Sequence, residues 1–335
     1  MVDSLNRKVI LASRPVGVPQ ADHFAVKEDP RPAAAEGQFV LRNRFLSVSP
    51  AMRGWVNAVK NYSDPVPVGA VMRANTVGEV VESRHPGDAA GEILVGMFGW
   101  QTFAVDDGSA VTTRLENPTA PLSAYLGVLG ISGVTAYFGL LDVGRPKAGD
   151  TVVVSTAAGS VGSVAGQIAK IKGCRTVGLT GSDAKVRQCI EDFGYDAAIN
   201  YRTADLDAAL AEACPDGVDV YYDNVSGAVS DAVYRHLAMG ARCVICGTVS
   251  VASWDPPPQG PRIERYMLVN RARFQGFVIY DYRPRWPEAV RDLSGWLKAG
   301  ELTYREEILE GIDAAPGSIA RLYDGDNMGK LSIRV

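Results

Sequence analysis

The sequence predicts an α/β protein in which a doubly wound parallel sheet follows a compact, mostly antiparallel β-domain. Three observations carry this reading. From Thr151 onward six β-rich runs alternate with helical ones, the rhythm of parallel strands joined by crossover helices. Roughly the first 120 residues hold only short β-rich runs punctuated by Gly and Pro, as antiparallel domains do. Between the two regimes a strand, a small-residue turn and a helix succeed one another over 151–172.

Taken in order, the early β-rich runs fall at 8–11, 39–48, 76–81, 93–98 and 102–105, with Pro15, Gly17, Pro65, Pro67 and Gly69 among the breaks. Residues 122–141 predict helices broken at their glycines. Strand candidates follow at 152–155, 176–180, 197–200, 218–223, 241–246 and 273–279, and helical stretches at 164–172, 184–193, 204–214 and 228–237. The last crossover is irregular, because Trp254-Asp255-Pro256-Pro257-Pro258 forbids a helix start. Val290, Leu293, Trp296 and Leu297 mark a further helix; Ile319, Leu322 and Tyr323 mark another; 330–335 reads as a last strand. A six-stranded sheet is complete by Ile279, so the tail is expected to pack elsewhere, back on the first domain.

The 151–172 stretch organises the rest. Thr151 to Val154 are β-branched and read as a buried strand. Ala157, Gly159 and Gly162 then give A-x-G-x-x-G at the head of a helix bearing Val164, Ile168 and Ile171. In that context the spacing is a dinucleotide-binding hypothesis, set against a plain tight turn. A side chain at Gly159 would hold a pyrophosphate off the backbone, and one at Gly162 would hold the helix off the strand. The amides at the helix start favour an anion. The second strand selects the cofactor. An NAD site wants an acid at its end for the ribose 2′-hydroxyl, and here Gly181 and Ser182 stand there. Ser182 can donate to a 2′-phosphate and Lys185, one turn on, can neutralise it. Asp183 is expected at a helix N-cap. The expectation is NADP(H).

Composition excludes other classes. Of 335 residues, 47% are hydrophobic and 21% charged, and the net charge is −4. Two domains are expected, with no electrostatic call for nucleic acid or an anionic membrane. No charge occurs over 118–141, long enough to span a bilayer, but its glycines and prolines favour a buried segment between domains. Five scattered cysteines point to a reduced, cytoplasmic protein. Cys243 and Cys246 form C-x-x-C inside a strand, where small apolar cysteines are common. None of the three histidines sits near a cysteine cluster at ligand spacing, so no metal is expected.

Several strings now converge: MRGW (52–55), GVTAYFGL (133–140), AAGSVG (157–162), GSDAK (181–185), Asn200-Tyr201, DNVSG (223–227), CGTVS (246–250), GFVI (276–279) and GDNMGK (325–330). Together, and in order along the chain, they resemble the zinc-independent branch of the medium-chain dehydrogenase/reductase superfamily, within it the leukotriene hydroxydehydrogenase, prostaglandin reductase and alkenal double-bond reductase family. The resemblance implies a GroES-like catalytic domain over 1–125, completed by 290–335, and a Rossmann NADPH-binding domain over 126–289. It implies hydride transfer to the β-carbon of an α,β-unsaturated ketone or aldehyde, and a homodimer formed along the edge strand of the Rossmann sheet, here 273–280. Family contacts to NADPH fall on Gly159, Ser160, Val161 and Gly162 at the pyrophosphate, with Lys185 at the 2′-phosphate, beside the Ser182 read above, and Tyr201 near the adenine. Asn224 follows the fourth strand. Cys246, Gly247, Thr248 and Ser250 belong to the loop under the nicotinamide ribose. Phe277, Val278 and Ile279 supply the backbone at the carboxamide, and Asn327 comes from the tail.

The chain departs from the family where Ala51 and Ala252 replace tyrosines that often line the substrate pocket. Tyr62 matches a remaining family tyrosine and is the catalytic candidate. The loss of two rings implies a wider, more apolar pocket, with Trp254 a stacking surface. Two alternatives stay open: an NADPH-dependent quinone reductase, and an NADPH-binding protein without useful turnover.

Overall fold

The computed structural model describes residues 4–250, 258–325 and 327–335. Ala252 and Trp254, with Pro256 and Pro257, lie outside the described residues. Strands β1 (Leu5–Leu11) and β2 (Phe24–Pro30) form an antiparallel pair. They are followed by β3 (Phe39–Ser47), α1 (Ala51–Trp55), β4 (Thr76–Ser83), β5 (Ile93–Gly96), β6 (Phe103–Asp106) and β7 (Val111–Leu115). Next come α2 (Ile131–Phe138), β8 (Thr151–Ser155), α3 (Gly162–Ile171), β9 (Arg175–Thr180), α4 (Asp183–Glu191), β10 (Ala197–Asn200) and α5 (Leu206–Ala213). Then follow β11 (Val218–Asp223), α6 (Gly227–Tyr234), β12 (Leu237–Ile245), α7 (Glu264–Asn270), β13 (Arg273–Gly276) and α8 (Trp286–Ala299). The chain closes with β14 (Glu306–Glu310), α9 (Ser318–Asp324) and β15 (Lys330–Arg334).

Two compact units divide the chain. One runs to Leu126 and takes in Glu306–Val335; the other is Gly127–Arg305. The first holds a seven-stranded sheet, β14-β15-β3-β4-β5-β7 with β6 also on β3. All its pairings are antiparallel except β14 on β15. The tail thus inserts β15 beside β3 (Ser332 opposite Ser47) and adds Leu331 and Ile333 to the core with Val9, Leu46 and Trp100. Residues 290–305 group with the other unit, where α8 packs on α2. Helix α8 has Pro287 in its first turn and ends at Gly300 in the left-handed region, the usual polarity of such signals.

The second unit holds the parallel sheet, ordered β10-β9-β8-β11-β12-β13. Numbered from its own first strand this is 3-2-1-4-5-6, the order of the dinucleotide-binding fold. Strand β8 is buried at all five positions, as a central parallel strand should be. The strand order reverses between β8 and β11, and ligands bind outside the carboxyl ends at such a point. The expected helical segment 122–141 resolves into a 3-10 turn at Leu122–Leu126, α2, and a π-helical turn at Gly139–Gly144. Gly127 and Gly130 separate the first two pieces, whereas Gly133 lies inside α2 against the Val128 carbonyl.

Within the first unit, Lys330 is buried, its ammonium donating to the carbonyls of Val48 (2.7 Å) and Leu331 (2.6 Å). Burial lowers its pKa to about 7, opposed by the nearby Glu306 carboxylate. Burial raises the Glu306 carboxyl, which accepts from Ser123 Oγ at 2.7 Å. Between pH 7 and about 10.4 the unfolded lysine holds a proton that the folded one has released, so this residue's own contribution to stability rises with pH across that window. The buried cysteine thiols, whose pKa values burial raises, act in the opposite sense above about pH 8.5, so a difference isolates the lysine. We expect the melting temperature of the wild type relative to Lys330→Met to increase from pH 7 to pH 9.5. A difference unchanged over this range would contradict the account.

Candidate functional site

The carboxyl ends of β8, β9, β11 and β12 carry most of the expected residues. After β8 the chain turns at Thr156, which takes a positive φ of 52°, and Gly159 N–H donates to the Thr156 carbonyl at 2.8 Å. A Cβ on Gly162 would lie 2.9 Å from the Thr156 carbonyl carbon and 3.0 Å from Ala157 Cα, and closer still to the carbonyl oxygen. Helix α3 therefore starts directly on the turn, and only glycine permits that approach. Ala157 in place of glycine also has a reason: a Cβ on Gly178 of β9 would stand 2.8 Å from the Ala157 methyl. The methyl uses space that Gly178 leaves open. Farther along α3, a Cβ on Gly166 would strike the Tyr195 ring, whose hydroxyl donates to the Gly162 carbonyl at 2.8 Å.

At the end of β9, Ser182 is the N-cap of α4, its Oγ accepting from Lys185 N–H at 3.3 Å. The cap is Ser182, not the expected Asp183, which is the first helical residue and accepts from Asn200 Nδ2 at 2.7 Å. Ser182 in the extended region frees its oxygen for the amide three residues on. A Cβ on Gly181 would meet Tyr201 OH at 2.9 Å and Arg202 Nε at 3.2 Å.

The end of β11 is built on Asp223, which is fully buried. Its carboxylate accepts from Val225 N and Ser226 N (both 2.9 Å), Ser230 Oγ (2.7 Å) and Tyr221 OH (3.2 Å). Asn224 ties β11 to β8, its Nδ2 donating to the Ser155 carbonyl at 2.7 Å and its backbone N–H to Ser155 Oγ at 2.8 Å. Beyond β12, Cys246 N and Gly247 N donate to the Asp223 carbonyl, and Ser250 Oγ bridges the Val225 and Ser226 carbonyls. Thr248 is partly exposed between them. Phe277 and Tyr222 approach Gly139, where a Cβ would stand 2.7 Å from Phe277 Cζ and 2.5 Å from Tyr222 OH. Val278 and Ile279 lead into a 3-10 turn rather than extending the strand, so β13 ends at Gly276, three residues short of expectation.

In the first unit, Tyr62 is 55% exposed. Close by, the buried Arg53 guanidinium lies 5.2 Å from the Tyr323 ring centroid, and Tyr323 OH donates to the Pro50 carbonyl at 3.1 Å. Tyr62 contributes to raising the Tyr323 phenol, mainly raised by burial. Tyr323, read from sequence as a helix-face residue, is a phenol that the sequence analysis missed. Asn327 Nδ2 donates to the Gly329 carbonyl at 3.0 Å.

All five cysteines are free. Burial pushes the Cys246 and Cys189 thiols up to about 12 and those of Cys174 and Cys214 to about 11, which removes them as nucleophiles near neutral pH. Among the described residues no three His, Cys, Asp or Glu side chains gather in a way that could hold a metal ion.

Comparison with known proteins fits this arrangement. Residues 7–113 match the N-terminal domain of oxidoreductase and residues 160–295 match the family described as zinc-binding dehydrogenase. The NADPH-dependent curcumin reductase of Escherichia coli is 44% identical over 98% of this chain and 97% of its own length. The chain belongs to the zinc-independent medium-chain dehydrogenase/reductase family of alkenal and enone reductases. Prostaglandin reductase 1 of Sus scrofa, another member, is 39% identical over 95% of this chain and 96% of its own length. Among solved structures, CurA from Vibrio vulnificus in complex with NADPH superposes with a TM-score of 0.93 at 40% identity, covering 98% of this chain and 99% of that one.

Two glycines of helices test the turn geometry. Gly162→Ala forces a methyl against backbone, which cannot yield cheaply; we expect a loss of about 1–3 kcal/mol. Gly295→Ala in α8 meets nothing within 4 Å, so the helix should gain about 0.5–1 kcal/mol. Urea denaturation of both variants measures this, and equal effects would refute the close approach at Gly162.

Proposed function

We propose that this protein reduces the C=C bond of α,β-unsaturated ketones or aldehydes with NADPH. What carries the reading is the length of the likeness: enone reductases are related to the chain from end to end. The site geometry supports the cofactor. Gly162 lets α3 start directly on the turn after β8, and β9 ends without an acid.

In this reading Gly159, Ser160, Val161 and Gly162 line the pyrophosphate at the head of α3, the Gly159 N–H being used within the turn and its missing side chain allowing the close approach. Ser182 and Lys185 hold the 2′-phosphate, and Tyr201 flanks the adenosine. Asn224, Cys246, Gly247, Thr248 and Ser250 shape the ribose side of the nicotinamide, and the backbone from Phe277 through Val278 to Ile279 takes its carboxamide. Asn327 adds a contact from the tail. When bound, NADPH supplies the hydride for the β-carbon. The protein's own task is placement and stabilisation of the charge that develops on the carbonyl oxygen. Tyr62 O–H donates to that oxygen. Ala51 leaves room for bulky, aryl-substituted substrates. The unit to Leu126 with 306–335 then binds substrate and Gly127–Arg305 binds cofactor.

We further read the protein as cytoplasmic, since free, buried cysteines suit a reducing compartment. Among the described residues no helix is long and apolar enough to cross a membrane. It is also read as a homodimer. Strand β13 has β12 as its sheet neighbour, and α7, which packs on β12, exposes Leu268 (79%) and Val269 (53%); an edge of that kind favours pairing with a second copy. Light scattering at micromolar protein should give about twice the chain's 35.8 kDa; a monomer mass would remove the dimer.

The activity is tested by NADPH consumption with an aryl enone, acrolein and a quinone, with product identification. We expect the saturated ketone from the aryl enone, at higher kcat/KM than acrolein. An allylic alcohol, or turnover confined to quinone, would overturn the reading. Tyr62→Phe should lower kcat about 10²–10³-fold with little change in KM; unchanged kcat would retire Tyr62 as the donor.

A further inference from the structure

We infer that Arg202 is a specificity-determining residue for the cofactor: its guanidinium is the second cation at the 2′-phosphate position. The inference rests on the NADP(H) reading and assigns it a residue outside the set read from sequence.

The position is fixed by the end of β9. In an NAD-selective site of this fold an acidic side chain at the end of this strand reaches the ribose 2′-hydroxyl. Here Gly181 stands there, and the direction that a Cβ would take marks where the ribose 2′-position lies. Two groups line that spot: Tyr201 OH, 2.9 Å from the built Cβ, and Arg202 Nε, 3.2 Å from it. The space that a side chain here would take is thus occupied by a phenol and a guanidinium. Arg202 N–H donates to Asn200 Oδ1 at 3.1 Å, which fixes the backbone from which the guanidinium projects. Among the described residues no carboxylate pairs with its side chain.

Charge balance gives this contact its weight. A 2′-phosphate monoester carries about −1.5 to −2 at neutral pH. Over 181–186 the charged residues are Asp183 and Lys185, which cancel formally. Asp183, held by Asn200 on the same side of the strand end, would repel a phosphate. Over 200–203 the charged residue is Arg202, and it turns a neutral locus into a cationic one. A planar fork also suits two phosphate oxygens better than an ammonium does. Because Arg202 is exposed, solvent screening reduces the gain.

The test is binding, without turnover. Calorimetric titration of wild type, Arg202→Gln, Arg202→Lys and Lys185→Ala uses four probes: NADPH, NADH, adenosine 2′,5′-bisphosphate and adenosine 5′-monophosphate. Arg202→Gln should weaken NADPH and the bisphosphate about tenfold, leave NADH and the monophosphate unchanged, and flatten the salt dependence of NADPH binding. Arg202→Lys should recover part of the loss, and the melting temperature without ligand should stay at the wild-type value. Equal losses for all four probes, or an unchanged NADPH affinity in a wild type that prefers NADPH, would overturn the assignment. A wild type that holds NADH as tightly as NADPH would overturn the NADP(H) reading itself, and the assignment with it.

Discussion

The carboxylate of Asp223 is the constraint on which the second unit depends. It is fully buried, and its surroundings are donors: two backbone amides, one serine hydroxyl and a tyrosine hydroxyl at 2.7–3.2 Å, with Ser155 Oγ and Tyr234 OH at 3.4 Å. A buried carboxyl group is costly unless dipoles replace water, and these dipoles come from several pieces of the site. Ser155 ends β8, Ser230 and Tyr234 lie on α6, and Val225 and Ser226 form the loop between β11 and α6. The Asp223 carbonyl also takes two amides of the loop after β12. One residue thereby clamps the ends of three strands at the point where the strand order reverses. Ser226 is held at φ 61°, a strained position for a residue with a side chain. The two amide bonds to Asp223 explain why the strain persists.

Around that clamp, absent side chains define the geometry. Gly162 lets α3 touch the turn, Gly166 admits the Tyr195 ring, and Gly139 admits both Phe277 and Tyr222. These are three separate contacts between an element and its neighbour. In each the glycine is used for close approach, not for an unusual φ, since none of the three has a positive φ. The same logic makes Ala157 compatible with a fingerprint that more often begins with glycine. Bulk at one position is matched by its removal at Gly178 across the β8–β9 pair.

Much of this was legible in the sequence because burial on both faces leaves an unbroken apolar run. Strands β8, β9, β10 and β11 begin or end within one residue of the expected limits. Elements that bury little were missed. Strand β14, EEILE, has no buried residue, and α7 buries none of ERYMLVN, so neither shows a one-sided apolar stripe. Strand β2, which ends in four exposed residues, was likewise not among the expected runs. Strand β12 starts at Leu237, four residues early, because the last turn expected of α6 is extended instead. The site followed the same rule. Residues in the turn and at strand ends carried a spacing that could be read, whereas Arg202 had no periodic partner and became visible only as the neighbour of a missing Cβ. Tyr323 hid inside a helical pattern that serves the core equally well.

Tyr323 also changes how the alanine at position 51 should be understood. The family pattern often has a tyrosine at this position. Here the ring comes from α9, near the other end of the chain, with its hydroxyl on the Pro50 carbonyl and its face toward the Arg53 guanidinium. Those two contacts bracket Ala51 on either side. Strand β15, six residues beyond Asp324, anchors this tail to β3, and Lys330 at its start holds the Val48 carbonyl just before α1. The surroundings of Ala51 are therefore set by the C-terminal segment as well as by α1. A substitution at Tyr323 or Lys330 would alter the surroundings of Ala51 without changing α1 itself.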